Sequence, residues 1–309
     1  MKIYNHIDDF QIVNNPVVTT GTFDGVHLGH KKIIQQVIDL SKKINGDSVI
    51  LTFFPHPRWV LFNDYDLKLL NTLDEKIELL KKTGVDHLII HPFTKDFSRI
   101  SSFDFIKNIL VKKLNTKKLV IGYDHHFGKN REGTFEHLKE YGPVYGFEVE
   151  EIPALDVQNI NISSTKIRNS LAIGEINAAN SFLGYHYFLH GKVVEGDKIG
   201  RKIGFPTANI EISESYKLIP MNGVYGVKVE LDGNEFFGMM NIGNKPTIGD
   251  NKKSIEVHIF NFDGDIYNKQ LKIEFYKRIR NEQKFNDLEA LKNQLLTDEQ
   301  QVKSFFSIY

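Results

Sequence analysis

Short apolar runs alternate with helical patterns through the first half of the chain, and this alternation limits the fold more than any other feature. The runs that read as buried strands are residues 16–20, 48–53, 86–90, 118–122 and 147–152. The segments with apolar residues at helical spacing are residues 29–43, 72–82 and 102–113. Strands and helices that alternate at this spacing predict an α/β domain, with a parallel sheet and helices on both of its faces.

The pattern changes near residues 183–184, where short strands separated by turn signals replace the alternation. Strands are expected at residues 223–229, 236–240, 255–260 and 271–276, and a helix at about 287–296. Asp232-Gly233 lies between the first two of these strands and is a strong hairpin signal. We therefore predict that residues 185–309 form a small antiparallel β-barrel with a closing helix, and that residues 1–184 form the α/β domain.

Length and composition fit two ordinary domains and exclude several classes of protein. The chain has 309 residues, and its 39 basic residues balance 39 acidic ones, so no global field attracts nucleic acid or an anionic membrane. It has no cysteine, which excludes disulfides and thiolate metal sites. We read no signal peptide at the N-terminus and no apolar run long enough to span a bilayer. We expect a cytoplasmic protein that binds neither nucleic acid nor membrane.

The first candidate site follows the first predicted strand, where the sequence at residues 21–30 is GTFDGVHLGH. Ligands of an open parallel sheet bind at the carboxyl ends of the strands, and a helix N-terminus at that place favours phosphate. His27 and His30 are three residues apart, so both could face one ligand from a first helical turn. Taken alone, the segment is more often an ordinary strand-to-helix turn that carries two surface histidines, but its position after the first strand favours a functional site.

A second candidate site lies in residues 200–209, where the sequence is GRKIGFPTAN. Its glycines let the backbone approach phosphate, and its basic pair suits an anion. Thr207 and Asn209 are two residues apart, so in an extended chain they point the same way and could share one Mg²⁺–nucleotide. A basic, glycine-rich hairpin loop without function remains the alternative, because a short glycine-rich loop is weak evidence.

These segments, with others in the same order, resemble the bacterial bifunctional riboflavin kinase/FMN adenylyltransferase family. The further N-terminal matches are TFFPHP at 52–57, GYDHHFG at 122–128 and ISSTKIR at 162–168. The further C-terminal matches are GVYGV at 223–227, NIGNKPT at 241–247, EVHIF at 256–260 and RNEQKF at 280–285. Phe54 departs from the family, which often has an acidic residue there. The matches span nearly the whole chain.

The resemblance implies a nucleotidyltransferase-like fold for the N-terminal domain and two ATP-dependent reactions with flavins. The barrel would phosphorylate riboflavin to FMN, releasing ADP, with Glu256 as the general base. The N-terminal domain would adenylylate FMN to FAD, releasing pyrophosphate, with His27, His30 and Arg168 acting on the phosphates. Mg²⁺ is the implied cofactor.

The resemblance also assigns binding residues in both domains. Residues implied to bind ATP or its phosphates are Gly21, Phe23, Asp24, Gly29, Ser163, Ser164, Thr165, Gly200, Arg201 and Gly204. Residues implied to border the flavin are Asp124, Phe127, Arg280 and Phe285. Thr207 and Asn209 are the implied metal ligands.

Two other classes of function remain open at this level. The chain could retain only one of the two activities, or it could be a flavin- or nucleotide-binding regulator without catalysis. The presence of the implied catalytic residues in both domains favours two activities. The sequence leaves the oligomeric state, the relative rates and any channelling between sites undetermined.

Overall fold

The computed structural model describes residues 1–123, 125–153, 156–157, 160–196, 199–244 and 253–308. The chain divides into two compact units, Met1–Ser164 and Thr165–Tyr309.

The first unit is built on a six-stranded sheet with the strand order β1-β4-β3-β2-β5-β6, in which all the pairings are parallel. Its strands are β1 (Lys2–Tyr4), β2 (Val17–Gly21), β3 (Ser48–Phe53), β4 (His87–His91), β5 (Lys118–Gly122) and β6 (Glu148–Ile152). Two residue pairs, β7 (Asp156–Val157) and β8 (Ile160–Asn161), form a separate antiparallel ribbon.

Helices cover the sheet on both faces, as the sequence predicts. They are α1 (Leu28–Lys43), α2 (Pro57–Phe62), α3 (Leu73–Lys81), α4 (Ser102–Asp104) with a π-helical continuation (Phe105–Lys113), and α5 (Phe135–Tyr145). Neighbouring residues of one strand enter different cores: Val17 packs with Val37 of α1, whereas Val18 packs with Ile106 of the π-helical segment. Because successive side chains of a strand point to opposite faces, a strand buried on both faces needs a continuous apolar run.

The second unit contains a closed antiparallel barrel with the strand order β10-β13-β12-β11-β14-β9. Its strands are β9 (Phe188–Val194), β10 (Ala208–Glu211), β11 (Gly223–Leu231), β12 (Asn234–Asn244), β13 (Lys253–Ile259) and β14 (Gln270–Arg280). Its helices are α6 (Ser164–Ala172), α7 (Ile176–Leu183), α8 (Ile199–Lys202) and α9 (Leu288–Phe306). Asp232 and Gly233 have φ angles of 50° and 80° and close the predicted hairpin.

The predicted fold class is confirmed, and the differences concern boundaries. The compact units divide about twenty residues before the predicted boundary at 184/185, because α6 and α7 bond to the barrel. The amide of Met221 donates to the Leu171 carbonyl, and the side chain of Asn180 donates to the Phe275 carbonyl. The closing helix α9 is also about ten residues longer than expected.

Among the residues that the structure describes, no helix is both long enough and apolar enough to cross a bilayer.

Candidate active sites

The turn between β2 and α1 contains several residues with positive φ angles. Phe23 and Val26 have positive φ angles of 49° and 37°, and Gly25 between them has a φ of 86°. Residues other than glycine adopt such angles only when the surrounding packing compensates for the strain. The Phe23 ring supplies that packing, because it is buried against His30 and lies 3.3 Å from where a Cβ on Gly21 would be.

The two histidines meet as a stacked pair at the start of α1. Their ring centroids are 3.6 Å apart and their planes differ by 16°. His27 is the N-cap of the helix, one residue before its first turn, and its Nδ1 accepts from the His30 amide at 3.3 Å. Gly29 leaves room for this arrangement, since a Cβ there would lie 3.2 Å from the His27 ring. The structure therefore brings His27 and His30 together, although only His30 lies within the helix.

The environment of His30 disfavours its protonation. Its Nδ1 atom is enclosed and has no hydrogen-bond partner among the described residues, although part of the ring remains exposed. Burial first, and then the charges of His27 and Lys76, hold the pKa of His30 well below its ordinary value of 6.5. A neutral imidazole keeps one N–H group, which can donate to an anion at a helix N-terminus.

Asp24, predicted to bind ATP, connects three segments of the unit. Its Oδ1 accepts from the Leu70 amide at 3.0 Å, and its carbonyl accepts from the Ser164 hydroxyl at 2.9 Å. Asp24 is only 4% exposed, so its carboxylate is a structural acceptor in this conformation. Ser164 is the last residue of the first unit, so this hydrogen bond lies within that unit.

The remaining residues of the 162–168 motif lie at or just before the start of α6. Ser163 precedes the helix, whereas Thr165 and Arg168 lie within its first turn and a half and belong to the second compact unit. Convergence of Arg168 with His27 and His30 on one ligand therefore stays a prediction.

The segment after β5 places its aromatic residue in the core. Phe127, predicted to border the flavin, is 7% exposed and packs against Phe105, with ring centroids 5.4 Å apart. That packing is the contact observed here, and a flavin contact at Phe127 stays a prediction. Asp124 lies outside the described residues. His125, which sequence reasoning left aside, is hydrogen-bonded to Thr20 Oγ1 at 3.2 Å, and burial lowers its pKa to about 4.

A buried lysine near this turn was missed by sequence reasoning. Lys76 lies on α3 and is 7% exposed, and its Nζ donates to the Thr22 carbonyl and to Thr52 Oγ1. It lines a small pocket at the carboxyl ends of β2 and β3, together with Asp24, Phe54 and other residues. The helical periodicity of residues 72–82 gives no sign that one of its lysines is buried.

In the second unit, the predicted glycine-rich phosphate loop begins as a short helix. Gly200 and Arg201 lie within α8, and the Gly200 carbonyl accepts from the Phe205 amide at 2.9 Å. A Cβ on Gly200 would lie 2.2 Å from the Phe205 carbonyl oxygen, so glycine is required for this close approach. Gly204 has a φ of 88° and ends the turn.

The predicted base and metal ligands of the barrel meet around one carboxylate. Glu256 lies on β13 opposite Asn209 of β10, and its Oε2 accepts from Thr207 Oγ1 at 3.1 Å. Its Oε1 accepts from Ser254 Oγ at 2.9 Å. Ser254 was missed, although it lies two residues before Glu256 and so points to the same side of its strand. The structure thus brings Thr207, Asn209 and Glu256 together.

Arg280 and Phe285, the predicted flavin neighbours of the barrel, lie close to each other. The Arg280 guanidinium lies over the Phe285 ring, 5.7 Å from its centroid. The same guanidinium forms a bidentate pair with the fully buried Asp298 of α9, with distances of 2.7 to 2.9 Å. Its main observed contact therefore joins the closing helix to the barrel, and a flavin contact stays a prediction.

Comparison with known proteins identifies both halves. The FAD synthetase model matches residues 9–166, and the riboflavin kinase model matches residues 183–306. A bifunctional riboflavin kinase/FMN adenylyltransferase of Buchnera aphidicola is 41% identical over 314 residues, covering 100% of each chain. The chain belongs to the bifunctional riboflavin kinase/FMN adenylyltransferase family. The resemblance seen in the motifs is thereby confirmed.

Other members of the family and one solved structure have the same extent. The family members of Listeria monocytogenes and Escherichia coli K12 are 42% and 36% identical, covering 95% and 94% of this chain and 93% of their own. A crystal structure from Streptococcus pneumoniae, described as a macrolide-efflux protein, covers 98% of both chains with a TM-score of 0.90 and 30% identity. The two-domain architecture is therefore shared over the full length.

Proposed function

We propose that this chain performs both reactions of its family, phosphorylating riboflavin to FMN in the barrel and adenylylating FMN to FAD in the N-terminal domain. ATP is the second substrate in each reaction, and ADP and pyrophosphate are the respective by-products. The observation that carries the proposal is that each matched half has its own cluster of phosphate-handling side chains. One cluster is the stacked pair His27–His30, and the other is Glu256 with its hydroxyl neighbours.

In the barrel, Glu256 acts as the general base. Its carboxylate accepts the proton of the riboflavin 5′-hydroxyl while that oxygen attacks the γ-phosphorus of ATP and ADP leaves. The hydroxyls of Ser254, on β13, and of Thr207, just before β10, hold the two carboxylate oxygens, so the base is oriented before substrate arrives. Gly200, Arg201 and Gly204 contact the phosphates.

In the N-terminal domain, the FMN phosphate attacks the α-phosphorus of ATP and pyrophosphate leaves. The reaction needs no protein nucleophile, so orientation and neutralisation of charge supply the catalysis. His27 and His30 donate to the triphosphate, while Arg168 and the hydroxyls of Ser163, Ser164 and Thr165 hold the leaving group. Gly21, Phe23, Asp24 and Gly29 shape the turn that cradles the nucleotide.

Mg²⁺ fits the donor atoms of the barrel. The Thr207 hydroxyl and the Asn209 amide oxygen are hard oxygen ligands, and both lie beside the Glu256 carboxylate. Within the described residues, no group of three or more His, Cys, Asp or Glu side chains could hold a metal alone. We propose that the ion would be held largely by ATP phosphates and water and would neutralise phosphate charge.

The functional boundary is proposed at residues 184/185, since α6 carries Thr165 and Arg168 of the adenylyl site although it packs with the barrel. We also place the enzyme in the cytoplasm, where its substrate ATP is abundant.

Incubation of the chain with riboflavin, ATP and Mg²⁺, followed by chromatographic separation of the flavins, tests the proposal. Both FMN and FAD are expected. Accumulation of FMN alone would show that one activity is lost, and riboflavin returned unchanged would favour a regulator that binds flavin or nucleotide without reaction.

A further inference from the structure

The ammonium group of Lys76 occupies a place where a charge is costly. The side chain is 7% exposed, and Nζ donates to the Thr22 carbonyl at 3.2 Å and to Thr52 Oγ1 at 3.3 Å. Thr52 Oγ1 in turn donates to the same carbonyl at 3.2 Å. These bonds connect α3 with the end of β3 and with the first residue of the turn after β2. Burying an ammonium group with mainly neutral partners carries a desolvation penalty of several kcal/mol.

The Thr22 carbonyl is the last backbone acceptor before the strained part of the turn. Phe23, Gly25 and Val26 follow it with positive φ angles, and His27 then caps α1. A donor fixed on Thr22 from α3 therefore constrains the conformation in which the histidine pair is presented. Because α3 itself begins with a complete capping box between Thr72 and Glu75, the base of the lysine side chain is also fixed.

The charged groups around Lys76 come from two elements. Asp24 of the turn attracts the ammonium and favours its charged form, whereas His30 of α1, stacked on His27, is disfavoured from protonation by the same charge. On α3 itself, the neighbouring carboxylate of Glu75 is bonded to the Thr72 amide at 2.9 Å. The ammonium thus lies between one carboxylate and the histidine pair.

We propose that Lys76 is a positioning residue for adenylyl transfer, whose ammonium group fixes the Gly21–Val26 turn and thereby the His27–His30 pair that receives the triphosphate. The inference rests on the adenylyl site of the proposed function. In this inference, the Lys76 ammonium acts by holding the turn in place and does not contact the substrate.

The pH dependence of FMN adenylylation distinguishes a positioning role of the Lys76 charge from a role in packing alone. Burial lowers the pKa of Lys76 to about 8, so the free enzyme loses the ammonium as the pH rises through about 8, and adenylylation should fall there. The ammonium charge of Lys76 also lowers the pKa of His30. Removal of that charge should therefore raise the pKa of His30 and move the acidic limb of the pH–rate profile to higher pH. An arginine at this position stays charged throughout the range.

The experiment compares Lys76→Met, Lys76→Arg and the matched control Lys81→Met, an exposed lysine on the same helix. The value of kcat/KM for FMN adenylylation is measured from pH 5.5 to about 9.5, because this ratio reports groups of the free enzyme. Riboflavin phosphorylation by the same samples reports the barrel. Fluorescence of Trp59, the chain's one tryptophan, reports the folding of the N-terminal unit.

We expect Lys76→Met to lower FMN adenylylation at pH 7 by tenfold or more, with riboflavin phosphorylation within twofold of the unaltered chain. Its acidic limb should lie at higher pH, and its alkaline limb near pH 8 should be absent. Lys76→Arg should restore part of the rate and move the alkaline limb beyond the measured range. Lys81→Met should behave like the unaltered chain.

Adenylylation by Lys76→Met within twofold of the unaltered chain would overturn the inference. So would an alkaline limb near pH 8 that persists in Lys76→Arg, and this second outcome decides the matter even if the methionine variant does not fold. Failure of the adenylyl site itself is distinguishable, because substitution of His27 and His30 would then leave FMN adenylylation intact.

Discussion

The two phosphate-handling sites use different side chains for different tasks, and the architecture of each unit explains the choice. At the carboxyl ends of the parallel strands, a stacked histidine pair lies at a helix N-terminus, and burial lowers the pKa of His30 so that its neutral form is favoured. On the barrel, the Glu256 carboxylate accepts from the hydroxyls of Ser254 on β13 and of Thr207 just before β10. Attack by a hydroxyl needs a base, whereas attack by an FMN phosphate that is already anionic needs donors and orientation. The comparison therefore predicts that the two activities are separable by substitution.

The largest expected effect comes from removing the base. Glu256→Gln keeps the shape and an acceptor oxygen but cannot take a proton, so we expect riboflavin phosphorylation to fall by about 10³-fold. FMN adenylylation should stay within twofold, and chromatography of the flavins measures both. Glu230→Gln, at an exposed position of β11, is the control. Equal loss of both activities in a folded Glu256→Gln protein would refute separate sites.

The converse change removes the histidine pair. In the double variant His27→Ala/His30→Ala we expect FMN adenylylation to fall by roughly a hundredfold to a thousandfold, because preorganised donors to the phosphates are lost. Riboflavin should still be converted to FMN at the normal rate. Lys32→Ala, exposed on the same helix, is the control. A double variant that still makes FAD normally would remove the histidines from the mechanism.

The stability of the barrel depends on the buried ion pair between Arg280 and Asp298. Asp298→Ala leaves the Arg280 guanidinium without its buried partner, and we expect a loss of about 3 kcal/mol in the free energy of unfolding of the barrel. Urea unfolding followed by riboflavin phosphorylation measures it, with the Trp59 signal as the internal control. If the barrel's midpoint does not change, the pair contributes nothing to the attachment of α9.

The smallest expected effect is a difference between the two units in how their folding stability depends on pH. Among described residues, His30, His87, His91 and His125 of the first unit all have a lowered pKa, about 4 for His91 and His125, whereas in the second unit this holds for His186. As the pH falls, the histidines of the unfolded chain take up protons near their ordinary pKa of about 6.5. Those of the folded chain stay neutral until the pH is lower. Folding stability is therefore lost as pH falls from about 6.5 towards 4.

Urea unfolding read by Trp59 should show the free energy of unfolding of the N-terminal unit decrease by about 2 kcal/mol or more between pH 7 and pH 5. His125→Asn should reduce that decrease, because it removes one of the titrating groups and keeps a polar side chain beside Thr20. A first unit whose stability is the same at both pH values would contradict the burial assigned to these histidines.

The parts of the fold that the sequence predicted best are those fixed by local patterns. The strands at 48–53 and 118–122 appear with the expected bounds, because a strand in a covered parallel sheet is apolar along its whole length. The Asp232-Gly233 turn appears as expected, since positive φ angles favour these residues. The helix predicted at 72–82 also appears, and Thr72 and Glu75 form a capping box at its start.

The features that escaped prediction depend on contacts between distant residues. The last helix was expected to end near Leu296, yet it continues to Phe306, and Asp298 within it is buried and paired with Arg280 of β14. In the sequence, Lys76 resembles any surface lysine of an amphipathic helix. Its burial is visible only once the ends of β2 and β3 are packed beside it. The candidate site residues were found through ordered motifs, but hydrogen bonds such as Thr207 to Glu256 require β10 and β13 to pair.

Mixing the two catalytic variants tests the central claim of two independent sites most directly. With riboflavin, ATP and Mg²⁺, Glu256→Gln alone should leave riboflavin essentially unchanged, and His27→Ala/His30→Ala alone should stop at FMN. An equimolar mixture of the two should produce FAD, since FMN released by one protein is adenylylated by the other. A mixture that forms no FAD, while Glu256→Gln still adenylylates added FMN and the histidine variant still makes FMN, would contradict independent sites.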